Sequence, residues 1–163
     1  MRLLVSLALA SAACAAHGHP AAAPAPTAAP APADGYDPAL AARLGADELG
    51  MHPYVMALLK AGPNRDQPPA EAQALMAAHL ANIERMAAAG TLVLAGPFLD
   101  DSELAGVYVF DVRTVEEAAA LTATDPAIKA GRLVMELHPW YGSAALRELA
   151  PIHRRIQRKR LGE

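Results

Sequence analysis

The chain has 163 residues, 53% of them hydrophobic, and a formal net charge of −3. That length points to one domain, and so small a net charge argues neither for a nucleic-acid binder nor for an acidic solubiliser. The hydrophobic fraction overstates the core, because much of it is alanine within the first 35 residues.

Residues 1–16 read as an export signal. Arg2 supplies the positive start, Leu3 to Ala13 is an uncharged stretch, and small residues fill the cleavage zone up to Ala16. Such a stretch is too short to span a bilayer, which takes about 20 residues. Cys14 is the only cysteine, so an intrachain disulfide is excluded. Ser11-Ala12-Ala13-Cys14 resembles a bacterial lipobox, with Ser11 where leucine is usual. Lipidation at Cys14 and ordinary signal-peptidase cleavage both stay open. Either way the mature protein is expected to be exported, periplasmic or envelope-associated, with Cys14 as a membrane tether in the first case. Residues 17–36 form an Ala/Pro-rich linker. Its prolines fix φ and favour an extended chain. His17 and His19 could bind a metal weakly, but a plain linker is the simpler reading.

The folded domain is expected over residues 37–142, with its core at 51–142. Asp37 is a good N-cap for a short helix carrying Leu40, Leu44 and Leu49. Tyr54 to Lys60 is a near-continuous apolar run, read as a buried strand, and Ala61-Gly62-Pro63-Asn64 breaks it. Residues 70–89 form the clearest helix. Leu75, Met76, His79, Leu80, Ile83, Met86 and Ala87 share one side, and Gly90 ends it. Thr91 to Ala95 and Leu104 to Val112 read as two strands joined by the polar turn Asp100-Asp101-Ser102, an antiparallel hairpin. Thr114 caps a second helix, with Glu116 and Glu117 in its first turn. Asp125-Pro126 restarts a short helix that stops near Gly131, and Leu133 to His138 is the fourth strand.

The order β-α-β-β-α-β predicts an α+β, ferredoxin-like antiparallel sheet with both helices on one face. The other face then needs a cover, so a homodimer burying sheet against sheet is expected. Residues 143–163 read as a basic, amphipathic C-terminal helix. Ser143 caps it, Leu146, Leu149, Ile152 and Ile156 line one side, and Pro151 interrupts it. The charge is unevenly spread. Residues 51–142 carry six Lys/Arg against eleven Asp/Glu, and residues 143–163 carry six against two. A solvated helix end is the plain reading of that basic run; contact with anionic lipid or with an acidic partner subunit is the alternative.

Several segments in order carry a family resemblance: His79-Leu80-Ala81-Asn82, Leu94-Ala95-Gly96-Pro97, Thr124-Asp125-Pro126, and Glu136-Leu137-His138-Pro139-Trp140-Tyr141-Gly142. Over roughly residues 51–142 the chain resembles the YCII-related (YciI-like) family, a dimeric α+β-barrel group, and its flanks resemble exported members. The resemblance implies a ferredoxin-like dimer with a candidate catalytic pair at His79 and Asp125. It also implies small-molecule chemistry without a metal or organic cofactor.

His79 falls inside the apolar stripe of its helix, where an imidazole must find a hydrogen-bond partner. A carboxylate accepting one ring N–H would fix the tautomer and leave the other nitrogen as acid or base. No nucleophile is evident, because Ser102 and Ser143 sit in no nucleophile elbow. Proton transfer is therefore the expected chemistry: isomerisation, elimination or a lyase step on a small ligand. The plain alternative is a satisfied core histidine with Asp125 as a helix cap, which would make the protein a noncatalytic small-ligand or protein-binding module of the envelope. Substrate-binding candidates are Gly96, Pro97, Glu136 and Trp140, each with an equally simple structural role in a turn, a strand or an interface. The six histidines are scattered, with no HExxH or facial-triad spacing and no cysteine pair. Neither GxGxxG nor a P-loop is present.

Overall fold

Asp37 accepts from the backbone N–H of Leu40 and starts helix α1 (Pro38–Leu44), which Gly45 closes in the left-handed region. The computed structural model describes residues 35–159. The expected export signal, Cys14, nearly all of the expected linker and the last residues of the tail lie outside the described residues.

Strand β1 (Met51–Ala61) follows, longer at both ends than its apolar run predicts. Helix α2 (Pro69–Ala88) has a proline in its first turn, where a missing N–H costs nothing, and Gly90 (φ +77°) follows its end. Strands β2 (Leu92–Pro97) and β3 (Leu104–Phe110) make the predicted hairpin. Helix α3 (Val115–Thr122) opens with a full capping box. Thr114 accepts from the Glu117 N–H, and the Glu117 carboxylate accepts from the Thr114 N–H. Asp125 then caps the single turn α4 (Pro126–Lys129) by accepting from the Ala127 N–H. Strand β4 (Leu133–Ser143) extends past the predicted His138 and takes in Trp140 and Tyr141.

The four strands form one antiparallel sheet in the order β2-β3-β1-β4, the ferredoxin-like arrangement. Of the two long strands, β1 lies inside the sheet and β4 at its edge. Pro53 sits before the stretch of β1 that pairs with β3, so it interrupts no ladder on that side.

Side-chain alternation sorts the sheet into two faces. On one, Val55, Ala57 and Leu59 of β1 and Tyr108 and Phe110 of β3 pack against Ile83 and Met86 of α2, Ala118 of α3 and Ala127 of α4. Burying each large aliphatic or aromatic side chain there contributes about 2 kcal/mol. On the opposite face, Tyr54, Val93 and Val109 are buried beneath Trp140 and Leu146. Leu146 belongs to a 3-10 turn (Ala144–Glu148) that leads into helix α5 (Leu149–Ile156). The tail is thus a 3-10 turn followed by an α-helix rather than one continuous helix. Pro151 lies in the first turn of α5, where it breaks no bond. The face expected to be bare is therefore partly covered by the chain itself. Its other end, around Leu58, Val107 and Glu136, keeps partial exposure.

Candidate active site

Positions 79 and 82 of α2 are one turn apart and present two polar side chains to the same interior spot. The third partner comes from the Asp-Pro junction between α3 and α4. His79 Nδ1 lies 2.7 Å from Asp125 Oδ2, and the Asn82 amide nitrogen lies 3.5 Å from the same oxygen. Asp125 Oδ1 accepts from the Ala127 N–H at 2.8 Å. One carboxylate therefore caps a helix with one oxygen and holds an imidazole with the other.

Asn82 is fixed in its turn. Its carbonyl oxygen accepts from Arg85 Nη2 at 2.7 Å, from Arg85 Nε at 3.2 Å and from the Thr124 hydroxyl at 3.2 Å. With that oxygen so occupied, the amide N–H₂ is left to face Asp125.

The other ring nitrogen, His79 Nε2, lies 3.2 Å from the Tyr108 hydroxyl, and the two rings stack at 6.2 Å. The three groups form a chain, Asp125–His79–Tyr108, and all are buried: 0%, 6% and 2% exposed. Burial works to raise the Asp125 pKa, but the hydrogen bond from His79, its charge and the N–H groups of Ala127 and Asn82 together bring it below its ordinary value. Burial, aided by the Asp125 charge, pushes the Tyr108 phenol well up. At neutral pH the ends of the chain are hence a carboxylate and a neutral phenol. An ionised carboxylate only accepts, so Nδ1 carries a hydrogen and donates to it. With a neutral ring, the Tyr108 O–H donates to Nε2; with a protonated ring, the hydroxyl turns and accepts.

Register decides which other predicted residues reach this chain. Ala57, Tyr108, Ala95 and Leu137 lie across one row of the helix-covered face. Gly96, Val107, Leu58 and Glu136 lie across the next row, whose side chains point to the other face. Trp140, opposite Tyr54, also belongs to that second face. His79 and Asp125 are brought together, while Gly96, Glu136 and Trp140 are separated from them by the sheet. Pro97 is on the helix side, opposite Gly106. Glu136 instead bridges Lys60 at 2.6 Å and His138 at 3.0 Å, and Tyr141 donates to Asp47.

A second buried histidine escaped the sequence reading. His52 Nδ1 is 3.0 Å from the Gly45 carbonyl and Nε2 is 3.1 Å from Asp111 Oδ1. Arg147 donates to Asp111 Oδ2 at 2.8 Å and to the Leu44 carbonyl at 2.9 Å. This cluster ties α1, β1, β3 and the 3-10 turn together. A cavity of about 220 Å³ beside it is lined by Leu92, Val93, Asp111, Arg147 and Arg154, and a more open depression by Thr91, Asp111, Arg113 and Glu117. Neither is lined by His79, Asp125 or Tyr108. Among the described residues no group of three or more His, Cys, Asp or Glu side chains could hold a metal ion.

A family model described as the YCII-related domain matches residues 54–141, more than half of the chain. The chain belongs to the YCII-related family. The match begins inside β1 and ends inside β4, so the YCII-related domain holds the whole Asp125–His79–Tyr108 chain, while α1, the 3-10 turn and α5 lie outside it. No curated protein matches. Among solved structures the chain is similar to the 5-chloro-2-hydroxyhydroquinone dehydrochlorinase of Burkholderia phenoliruptrix AC1100 in complex with 2,5-dihydroxybenzoquinone. Identity is 19%, over 53% of this chain and 92% of that one, with a TM-score of 0.41.

Proposed function

We propose that this YCII-related protein is a cofactor-independent enzyme using His79 for acid-base chemistry on a small molecule, of isomerase, elimination or lyase type. The observation that carries the reading is the buried chain Asp125–His79–Tyr108. Asp125 orients the ring and supports its positive charge, and the ring exchanges a proton through Nε2. Tyr108 holds that nitrogen when no ligand is bound. A ligand reaches the base by displacing the Tyr108 hydroxyl from Nε2 of the neutral ring, or takes its proton from that hydroxyl while a protonated His79 resupplies it from Nε2–H. The domain works as a homodimer pairing the uncovered ends of two sheets, exported and held in the envelope.

One observation favours a second reading. His79 and its partners are covered and fully hydrogen-bonded, as a noncatalytic ligand- or protein-binding module would keep a structural core histidine.

The test follows the His79 ring by NMR titration in wild type, Asp125→Asn and Tyr108→Phe, alongside exchange of solvent deuterium into a panel of small carbonyl and hydroxyaromatic compounds. An enzyme gives a His79 titration that shifts in both variants and exchange that disappears in His79→Gln. A ring that does not titrate, with no exchange above the His79→Gln background, would overturn the catalytic reading and leave the binding module.

A further inference from the structure

Helix α5 is amphipathic in the reverse of the usual sense. Ala150, Pro151 and Arg154 line the cavity against α2 and β2, so this face is the one turned to the body of the protein. At about 100° per residue, Leu149, Ile152 and Ile156 fall on the opposite side. All three are exposed, at 38%, 47% and 72%, whereas Ala150 on the cavity side is half-buried. Packing a helix normally buries its apolar stripe. Here the stripe faces out, with His153 and Arg155 on its two borders and Arg158 and Lys159 just beyond its end. Arg154, Arg155, Arg158 and Lys159 take part in no ion pair among the described residues.

We infer that α5 and the basic residues after it form a docking surface for an anionic phospholipid membrane. Two features select this occupant. The first is charge: a border of unpaired cations around an aliphatic stripe matches a surface that is anionic outside and apolar beneath. The second is area. Three partly exposed aliphatic side chains offer roughly a few hundred Å², well short of the roughly 800 Å² per partner that a stable protein interface buries. A shallow insertion of two helical turns needs no more. The helix has eight residues, and no described helix is long and apolar enough to cross a membrane, so the contact lies in the interface plane. It stands independently of what His79 does.

The experiment is co-sedimentation of the whole chain with vesicles of phosphatidylcholine alone and of phosphatidylcholine with about one-third phosphatidylglycerol. Wild type is compared with Ile152→Ser/Ile156→Ser and with Arg155→Gln/Arg158→Gln/Lys159→Gln. All these positions are exposed, and circular dichroism checks that the variants keep the fold. The charge variant should bind the anionic vesicles on the order of a hundredfold more weakly than wild type, since each basic residue near such a surface contributes about fivefold, and the aliphatic variant on the order of tenfold more weakly, since its apolar side chains no longer insert. On pure phosphatidylcholine the charge variant should match wild type. Equal binding of all three proteins to anionic vesicles overturns the proposal. So does a change in sedimentation coefficient in the aliphatic variant without a change in vesicle binding, which would make α5 a contact between copies of the chain.

Discussion

Asp125 answers three donors with two oxygens, and that arithmetic makes it sensitive to substitution. An asparagine there keeps the shape but offers a single acceptor, so either the His79 Nδ1–H or the Ala127 N–H faces an amide N–H₂. Asp125→Asn should cost about 2 kcal/mol at pH 7. The sign of the pH dependence follows from the direction of the shift. The carboxyl is held below its ordinary 3.8 in the fold, so its ionised form contributes stability above about pH 4 that is lost as pH falls through the lowered folded value. Urea unfolding at pH 7 and at pH 3 should show the gap between wild type and variant shrinking at the lower pH. A gap of constant size would mean that His79 and the two amides do not favour the ionised carboxyl.

At the scale of elements, glycines mark where backbones approach. A Cβ on Gly62, just past β1, would lie 2.2 Å from the Gly131 carbonyl oxygen, a contact with backbone that cannot swing aside. Gly62→Ala should destabilise by about 2 to 3 kcal/mol and part the β1 exit from the turn after α4. Gly96 is the control, because a Cβ there meets nothing within 4 Å. Gly96→Ala should leave the thermal midpoint within a degree or two, which corresponds to roughly a few tenths of a kcal/mol. A large loss at Gly96 would show that the open face is packed in a way the isolated chain does not reveal. Loop and cap chemistry at this scale was readable early. Thr114, Asp125 and Gly90 each stop or start a helix for local reasons that a short window contains. The length of β4 was not, since Trp140 and Tyr141 extend it only because β1 runs alongside as far as Met51.

For the whole molecule, the uncovered row of Leu58 and Val107, beside half-exposed Met56 and Leu94, is where a second copy should pair. Sedimentation velocity at micromolar concentration should find a dimer for wild type and a monomer for Leu58→Glu, because a carboxylate buried there has no partner. Wild type sedimenting as a monomer would end the dimer expectation.

Sequence alone determined the order of elements, the helix caps and the pairing of His79 with Asp125, because periodicity, capping and a family resemblance are carried by neighbouring residues. Tertiary structure decided the rest. Tyr108 joined the site because strand alternation aims its hydroxyl at the one free nitrogen of His79, from 29 positions away. Gly96, Glu136 and Trp140 stand apart from the Asp125–His79–Tyr108 chain because register placed them on the far side of the sheet. Helix α5 turned its apolar stripe outward because Leu146, not that stripe, fills the space over Tyr54 and Val109. A face, unlike a period, is a relation between segments, and only the packed chain specifies it.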